Sequence, residues 1–368
     1  MTNNNTDPKS RRAFIKTAAL GVAGTAFLTG TAAFPYYNRG AQKKIGYALV
    51  GLGYYSTDLL APALQETETA YLAGIVTGTP SKEKVWAEKY GIPKKNIYNY
   101  ENFDEIASNK DIDIVYIVLP NSMHREFSIR AADAGKHVLC EKPMAMNAQE
   151  CREMIDACNR NNVLLSIGYR LHYDPYNMEA MRLGQEQVFG KVVHISCGAA
   201  FRNSSKDHWK LQKKMGGGSL MDMGVYPLQA ARYVTGEEPI SVTAQGYSMR
   251  DPFHEINEAV YFQLNFPGGT IANLSTGFHA SFNFLLAAAE RGRFELQPYS
   301  GYGGIKGSSS NGEMQFPEIN QQAAHMDDFA FSVRDGKEVR VPGEEGLKDM
   351  IVVDAAYQAI AQDCSVTI

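Results

Sequence analysis

Short apolar runs alternate with stretches of helical periodicity between residues 43 and 168. The apolar runs predict strands at residues 45–50, 71–76, 112–119, 137–140 and 163–168. The stretches between them predict a helix that ends near residue 66 and further helices at 81–90, 124–134 and 147–161. Buried strands that alternate with helices are typical of a parallel sheet covered on both faces. We therefore predict an α/β domain at residues 43–168.

The pattern changes after residue 169. Strand-like runs follow one another with few helices between them, at residues 192–199, 240–247, 259–266, 270–276 and 293–297. A Gly- and Ser-rich stretch at 300–312 predicts a mobile loop. Residues 169–368 are therefore predicted to form an α+β domain with a large, mainly antiparallel open sheet. One apolar face of such a sheet is best buried against a second subunit, so we expect a homodimer or a homotetramer.

Length and charge narrow the class of protein. The chain has 368 residues, which favours two domains, and its 36 Lys and Arg against 40 Asp and Glu give a formal charge of −4. Because basic residues are not in excess, we do not expect the basic surface that binds nucleic acid. We therefore expect small-molecule partners and no nucleic acid. Five scattered cysteines without a CxxC pair predict buried thiols and no disulfide framework. The histidines have no metal-binding spacing, so no metal site is predicted.

Residues 1–33 have the features of an export signal. Adjacent Arg11 and Arg12 precede a stretch of apolar and small residues at 17–33, which resembles the twin-arginine signal of bacteria. This pattern predicts recognition by the twin-arginine (Tat) export machinery, cleavage near Ala32 or Ala33 and a mature protein in the periplasm without stable membrane insertion. A basic N-terminus on an anchoring helix is the alternative. Residues 34–42 would then form a short N-terminal arm.

A glycine turn follows the first predicted strand. Gly51 and Gly53 lie between this strand and a helix, where a pyrophosphate can approach backbone N–H groups. The motif predicts a Rossmann dinucleotide-binding domain, although Ser56 replaces the third glycine and a tight turn that binds nothing is the alternative. The end of the second strand lacks the Asp or Glu that binds the ribose of NAD. It offers Thr77, Ser81, Lys82 and Lys84 to a 2′-phosphate, which favours NADP over NAD. An ordinary solvated helix face is the alternative for the two lysines.

Two further segments carry residues suited to acid–base chemistry. Glu141 and Lys142 follow a predicted strand, at the sheet edge where open α/β folds bind ligands. A glycine-rich run at 216–219 begins a helix with Asp222 and Tyr226, which are four residues apart and therefore share one face. An ammonium group lowers the pKa of a nearby phenol, so Lys142 beside Tyr226 would make the tyrosine a usable base. If each residue is considered alone, the alternative for Tyr226 is a phenol packed in the core, and the alternative for Lys142 is a solvated lysine.

Together these motifs resemble the glucose–fructose oxidoreductase branch of the Gfo/Idh/MocA oxidoreductase family. The resemblance covers essentially the whole chain after the signal, and its motifs lie at residues 51–56, 119–124, 141–143, 168–175, 216–226 and 236–239. Most of the wider family has His where Tyr226 stands, whereas this branch has Tyr. The resemblance implies that Lys142, Asp222 and Tyr226 form the catalytic group. It also implies that these three residues contact the substrate, together with Arg170, His172 and Tyr173.

The resemblance also implies a set of cofactor contacts. These are Gly51, Gly53, Tyr54, Tyr55, Thr77, Lys82, Leu119, Asn121, His124, Glu141, Lys142, Arg170, Trp209 and Lys210. Lys210 stands where this branch has Arg, and a lysine lacks the bidentate fork of arginine. In this branch an arm after the signal helps to cover the nucleotide, which residues 34–42 could do here.

The predicted compartment adds a constraint on the reaction. Free NADP is not expected in the periplasm, so the cofactor must stay bound and a second substrate must reoxidise it. We therefore predict an oxidoreductase that transfers hydride between sugars through a tightly bound NADP. An aldose would become an aldonolactone while a ketose or a second aldose is reduced. Alternatives are another carbohydrate dehydrogenase or an NAD-dependent glycosidase of this family, and a noncatalytic sugar-binding protein on this scaffold.

Overall fold

A computed structural model describes residues 43–203, 208–250, 253 and 255–368. The predicted signal at 1–33 and the predicted arm at 34–42 lie outside these residues. Within the described ranges, no helix is long and apolar enough to cross a membrane, and no cluster of His, Cys, Asp or Glu could hold a metal ion. Four cysteines are buried free thiols as predicted, but Cys364 is exposed because it follows the end of the last helix.

The first sheet consists of six parallel strands. They are β1 (Ile45–Val50), β2 (Ala70–Val76), β3 (Ile97–Tyr98), β4 (Ile114–Ile117), β5 (His137–Cys140) and β6 (Leu165–Ile167). Their order, β3-β2-β1-β4-β5-β6, confirms the predicted Rossmann fold. The order reverses between β1 and β4, and open sheets of this kind bind ligands beyond the carboxyl ends of the strands at that point. The two-residue strand β3 was not predicted.

Four helices connect these strands. They are α1 (Ala61–Glu66), which continues from a π-helical turn at Tyr55–Leu60, then α2 (Pro80–Tyr90), α3 (His124–Asp133) and α4 (Ala148–Arg160). The sequence specifies the start of α4 closely: the Asn147 side chain accepts from the Glu150 backbone N–H, and the Glu150 carboxylate accepts from the Met146 N–H. This reciprocal cap satisfies two backbone N–H groups at the start of α4, whose buried residues include Cys151 and Met154.

The second sheet has nine strands and is mainly antiparallel, as predicted. Its strands are β7 (Val192–Ala200), β8 (Ser241–Tyr247), β9 (Ala259–Asn265), β10 (Ile271–Gly277), β11 (Phe282–Ala289), β12 (Gly292–Leu296), β13 (Gly307–Ser309), β14 (Gly312–Glu313) and β15 (Val366–Thr367). The order is β14-β13-β12-β11-β7-β10-β9-β8-β15, and only the β7–β10 pair is parallel. The prediction of a loop throughout 300–312 was wrong for its second half, because β13 pairs with β12 there.

Four more helices complete the described fold. They are α5 (Pro175–Gln185), α6 (Val225–Thr235), which continues from a π-helical turn at Leu220–Gly224, α7 (Gln321–Asp335) and α8 (Gly343–Gln362). The chain returns to the first sheet through α7, whose Met326 and Phe329 belong to the same hydrophobic cluster as β1 and β2. The Tyr47 hydroxyl on β1 donates to the Met326 carbonyl at 2.8 Å. The pattern analysis predicted neither α7 nor α8.

Candidate active site

The carboxyl ends of the first sheet bring together most of the predicted site residues. Gly51 follows β1, Glu141 and Lys142 follow β5, and Arg170 comes three residues after β6. In a parallel sheet these ends lie along one edge, so residues far apart in the chain become neighbours. Asn121 makes one of the contacts between this edge and the second half of the chain, since its side-chain amide donates to the Gly216 carbonyl at 2.8 Å.

The glycine turn has the shape that a nucleotide needs. Gly51 has a φ of +89°, and a Cβ at this position would lie 2.5 Å from the Val118 carbonyl oxygen, so glycine is required. The buried Ser56 hydroxyl donates to the Gly51 carbonyl at 2.6 Å and holds the turn closed. At Gly53, in contrast, an added Cβ would meet no atom within 4 Å. The turn is therefore open on the Gly53 side, where a pyrophosphate would approach the backbone.

The end of β2 lies beside this turn. The Lys82 ammonium donates to the Leu52 carbonyl at 2.6 Å, which joins the start of α2 to the glycine turn. Thr77 is buried, and its hydroxyl oxygen accepts from the Thr79 N–H at 3.1 Å. No acidic residue occurs at 77–82. The donor set therefore fits a nucleotide, and the cation fits a 2′-phosphate better than a free ribose hydroxyl.

Two tyrosines follow the turn and differ in their surroundings. Tyr54 is 67% exposed. The Tyr55 ring lies 6.0 Å from the ring of Tyr302, which belongs to the loop before β13. Burial raises the pKa of Tyr55, as does the nearby Glu141 carboxylate. Tyr55 is therefore a neutral aromatic wall of the crevice.

Glu141 forms part of the floor of the crevice. Its carboxylate accepts from the Tyr116 hydroxyl at 2.6 Å, and burial raises its pKa. A Cβ at Gly168 would lie 2.6 Å from the Glu141 carboxylate. The lack of a side chain at residue 168 thus leaves room for this carboxylate between two strand ends.

Lys142 joins the other two predicted catalytic residues. Its ammonium donates to the Asp222 carbonyl at 2.6 Å, lies 3.9 Å from the Asp222 carboxylate, and sits 4.6 Å from the centre of the Tyr226 ring. Burial by itself would lower the pKa of Lys142, but the phenol of Tyr226 and the carboxylate of Asp222 outweigh it, so the pKa is raised. Lys142 is thus a cation at neutral pH.

Asp222 has a second cationic partner that the sequence analysis did not assign to it. Lys210, predicted as a cofactor contact, forms an ion pair with the Asp222 carboxylate at 2.9 Å. Burial opposes ionisation of Asp222, but Lys210 and Lys142 lower its pKa below the usual value. Asp222 is therefore an anion held between two lysines. The neighbouring Trp209 is half-buried, with the Lys210 ammonium 5.9 Å from its ring centre.

Arg170 reaches the phenolic oxygen of Tyr226. Its Nη2 lies 3.5 Å from that oxygen, and its guanidinium carbon lies 5.5 Å from the centre of the same ring. Burial raises the pKa of Tyr226, but Arg170 and then Lys142 lower it more, so the net direction is downward. The predicted downward shift is thus present, with Arg170 as a larger cause than Lys142.

Other predicted contacts face the protein interior. Both ring nitrogens of His124 lie within hydrogen-bond distance of backbone carbonyls, of Pro143 at 2.9 Å and of Leu119 at 2.8 Å, and burial lowers its pKa. His172 packs edge-on against Tyr233 at 4.1 Å, and burial lowers its pKa to about 4. The Tyr173 hydroxyl donates to Asp328 on α7 at 3.0 Å. Ligand contacts by these three side chains remain predictions.

Several residues at the site were not found from the sequence. Ser300, Gly301 and Gln321 hold the guanidinium of Arg170 through oxygen acceptors, and Tyr302 lies 4.3 Å from the same guanidinium. Three of these residues, Ser300, Gly301 and Tyr302, lie in the Gly- and Ser-rich stretch at 300–312, which the sequence predicted only as a loop. No pattern marked Gln321, because its role depends on where α7 begins.

Three features define a dinucleotide-dependent oxidoreductase: a parallel sheet of order 3-2-1-4-5-6, a glycine turn open to a pyrophosphate, and beside it the group of Lys142, Asp222 and Tyr226, in which the lysine and the aspartate are charged. Comparison with known proteins agrees. Residues 45–169 match the oxidoreductase family with an NAD-binding Rossmann fold, GFO_IDH_MocA, and residues 178–297 match a GFO/IDH/MocA C-terminal domain. The chain belongs to the Gfo/Idh/MocA family. This confirms the predicted family and the predicted class, an NAD(P)-dependent oxidoreductase.

Individual relatives span almost the whole chain. The crystal structure of an aldose-aldose oxidoreductase from Caulobacter crescentus, complexed with glycerol, is 40% identical, has a TM-score of 0.86, and covers 89% of this chain and 100% of that chain. A D-xylose 1-dehydrogenase [NADP(+)] of Haloarcula marismortui is 27% identical over 88% of this chain and 92% of its own length. A 2,7-anhydro-N-acetylneuraminate hydratase of Mediterraneibacter gnavus is 26% identical over 69% of this chain and 68% of its own length.

Proposed function

We propose that this protein oxidises an aldose at C1 and returns the hydride to a second sugar, using an NADP that stays bound between the two half-reactions. The observation that carries this proposal is the group formed by Lys142, Asp222, Tyr226 and Arg170, which combines a base with polar groups that can hold a sugar. The similarity to an aldose-aldose oxidoreductase and to an NADP-dependent xylose dehydrogenase supports the sugar substrate.

The nucleotide would bind at the glycine turn. The open backbone at Gly53 would accept the pyrophosphate, and Lys82 would meet a 2′-phosphate. When bound, NADP supplies the hydride acceptor and donor that no amino-acid side chain provides. The neutral walls formed by Tyr55 and Tyr302 would limit the access of water to the crevice.

Tyr226 would handle the proton in both half-reactions. Oxidation of an aldose removes a hydride from C1 and a proton from the C1 hydroxyl, and the Tyr226 phenolate would accept this proton. When the second sugar is reduced, its carbonyl oxygen gains a proton as its carbon gains a hydride, and the Tyr226 phenol would donate that proton. Asp222 and Lys142 would hold sugar hydroxyl groups, since the pair remains charged at neutral pH.

Retention of the nucleotide follows from the proposed location. The twin-arginine pattern at Arg11 and Arg12 supports export to the periplasm, where free NADP is not expected. An enzyme that released its nucleotide there would stop after one turnover. We therefore propose that the second substrate is another sugar and that the mature chain keeps its NADP after export.

Native mass spectrometry of the purified protein tests this proposal. The expected result is a mass increment equal to NADP, followed by a change in nicotinamide absorbance when an aldose is added without free nucleotide. A protein free of nucleotide, with only millimolar affinity for NADP, would contradict it. Net hydrolysis of a glycoside without a change in sugar redox state would favour a glycosidase, and sugar binding without any absorbance change would favour a noncatalytic protein.

A further inference from the structure

Arg170 is a buried cation without a carboxylate partner among the described residues. It is 3% exposed. Its Nη1 donates to the Gly301 carbonyl at 2.8 Å and to the Gln321 side-chain oxygen, and its Nη2 donates to the Ser300 carbonyl at 2.6 Å. All three acceptors are neutral, and the groups that most favour the charged form of Arg170 are tyrosines. The charge of the Glu141 carboxylate acts on Arg170, but among the described residues the two groups form no hydrogen bond or ion pair. A buried guanidinium without a directly bonded counter-ion is costly, so this position favours a negative charge in contact with it.

Tyr226 is the group that can supply this charge. The Arg170 Nη2 lies 3.5 Å from its phenolic oxygen, which makes a direct polar contact. Lys142, in contrast, lies over the ring and donates its hydrogen bond to the Asp222 carbonyl. The charge of Lys142 is also partly balanced by the Asp222 carboxylate at 3.9 Å. Arg170 is therefore better placed than Lys142 to stabilise a phenolate.

We propose that Arg170 is the principal cation acting on the phenolic oxygen of Tyr226, stabilising its deprotonated form, and that Gln321 with the carbonyls of Ser300 and Gly301 holds the guanidinium in place. This proposal rests on the proposed function, in which Tyr226 takes up the substrate proton. Because Arg170 acts through Tyr226, it is a positioning residue. The interaction is strong because the site is buried and the effective dielectric constant is low.

The other groups around Tyr226 do not change this conclusion. The titratable and charged groups that face it are Arg170, Lys142, Glu141, Asp222, Tyr55, Tyr299 and Tyr302. Burial raises the pKa of the last three tyrosines. Tyr226 is the only one of these four phenols with a lowered pKa. It should thus be the first of them to ionise as the pH rises.

Phenolate absorbance tests the proposal on the nucleotide-bound protein without any sugar. Subtracting the ultraviolet titration curve of Tyr226→Phe from that of wild type separates the ionisation of Tyr226 from that of the other tyrosines. Each further variant is compared with its own Tyr226→Phe double variant. We expect Arg170→Met to raise the titration midpoint by about 1–3 pH units and Arg170→Lys to restore part of the shift. Lys142→Met should raise the midpoint by less than Arg170→Met does.

Arg340→Met provides a matched control. The guanidinium carbon of Arg340 lies 4.9 Å from the ring centre of Tyr173. This substitution therefore also removes a guanidinium beside a tyrosine ring, but it should leave the titration midpoint of Tyr226 unchanged. The acid limb of the pH profile for aldose oxidation should move with the titration midpoint. A merely structural role for Arg170 would lower the rate without moving either value.

The outcomes separate the two proposals. An unchanged midpoint in folded Arg170→Met, or a larger shift in Lys142→Met, would overturn the role of Arg170. If Arg170→Met does not fold, Gln321→Met removes only one acceptor from the guanidinium, and it should still raise the midpoint measurably. No shift in that variant would also overturn the role. Because the titration uses no sugar, an absence of sugar turnover would contradict the proposed function alone.

Discussion

Tyr226 is the side chain on which the proposed reaction depends. Its hydroxyl lies in a group with two cations, and its pKa is lowered from the ordinary value despite burial, mainly by Arg170 and then by Lys142. Tyr226→Phe removes only this hydroxyl. We expect kcat to fall about 10²–10⁴-fold, as for loss of a general base, with bound nucleotide unchanged. Steady-state kinetics and the nucleotide content of the same preparation would measure both.

Tyr90→Phe is the control for this variant. It also removes one buried hydroxyl, which has no hydrogen-bond partner among the described residues, at the end of α2. Its kinetics should match those of wild type. If Tyr226→Phe retained activity within a few-fold of Tyr90→Phe, another group would have to move the proton.

His325 on α7 makes stability depend on pH. Burial lowers the pKa of this histidine to about 3, whereas in the unfolded chain it is about 6.5. Between these values the unfolded chain binds a proton that the folded chain does not, so the free energy of unfolding should fall as the pH drops from about 6.5 towards 3. The slope from this residue should approach about 1.4 kcal/mol per pH unit.

Denaturant unfolding at several pH values measures this dependence. His325→Gln keeps a polar side chain and removes the titrating group, so its free energy of unfolding should vary less between pH 6.5 and pH 4 than that of wild type. Equal slopes for the two proteins would contradict the assignment. His172, whose pKa burial lowers to about 4, should contribute to the slope that remains, together with the other groups whose pKa folding lowers, such as His124 and Asp222.

At the level of residues, the sequence predicted side-chain types better than partners. Lys142, Asp222 and Tyr226 could be chosen because their chemistry and spacing suit proton transfer. The pairing of Lys210 with Asp222 and of Arg170 with Gln321 could not be predicted. Arg170 and Gln321 are 151 residues apart in the chain, and only the packing of α7 brings them together.

Two short elements that the pattern analysis treated as loops or helix starts control the geometry of the crevice. Each of the π-helical turns, at Tyr55–Leu60 and Leu220–Gly224, carries a residue of the site, Tyr55 in the first and Asp222 in the second. Hydrophobic periodicity cannot distinguish a π-turn from the α-helix that it continues. The helices were therefore predictable, and the local widening that positions these residues was not.

The glycine-rich segment before Asp222 allows close contact with the first half of the chain. Gly216 has a φ of +78°, and a Cβ there would lie 2.6 Å from both Asn121 Cβ and Met146 Sδ. Gly91 also has a positive φ, +67°, but its Cβ would meet open space. Gly216→Ala should thus destabilise the protein by about 1–3 kcal/mol more than Gly91→Ala, because strain adds to a shared backbone cost.

Thermal or denaturant unfolding of the two variants makes this comparison. Because Asn121 is a predicted cofactor contact that binds Gly216, Gly216→Ala should also carry less bound nucleotide. Equal losses in the two variants would mean that the segment adjusts freely and that the contact is unimportant.

Helix α7 connects the chemistry to the first sheet. Phe329 is buried in the cluster of β1 and β2, whereas Phe331 on the same helix is only half-buried. Phe329→Ala should cost about 3–5 kcal/mol of unfolding free energy, and Phe331→Ala clearly less. Denaturant unfolding would test this, and similar losses would contradict the packing of α7 described above.

The arrangement of strands and helices along the whole chain predicted both sheets, and the alternation of the two at residues 43–168 indicated the parallel one. The run of strands after β7 indicated an antiparallel sheet, because strands without intervening helices can be joined by short turns. The local sequence pattern could not predict that α7 packs against the first sheet. The buried Met326 of α7 accepts a hydrogen bond from Tyr47 on β1, which lies 279 residues earlier in the chain.

The predicted oligomer can be tested at large apolar residues that are exposed on the second sheet. Val193, Tyr247, Tyr261 and Ile271 are large apolar residues exposed on β7 to β10, and two of their rings, those of Tyr247 and Tyr261, contact each other. Sedimentation should show a dimer or tetramer, and Tyr261→Lys should reduce the mass. Val85→Lys, at an exposed position on α2, should not. A monomeric wild type would contradict the proposal.

Transfer of a labelled hydrogen atom from one sugar to another tests the proposed reaction most directly. An aldose with deuterium at C1 is incubated with a second sugar and the purified protein, without added nucleotide. Deuterium is expected on the reduced carbon of the second sugar in proportion to the aldonolactone formed, and Tyr226→Phe should slow the formation of both products about 10²–10⁴-fold. Turnover that requires added nucleotide, or aldonolactone formed without deuterium in a second sugar, would contradict the proposed reaction.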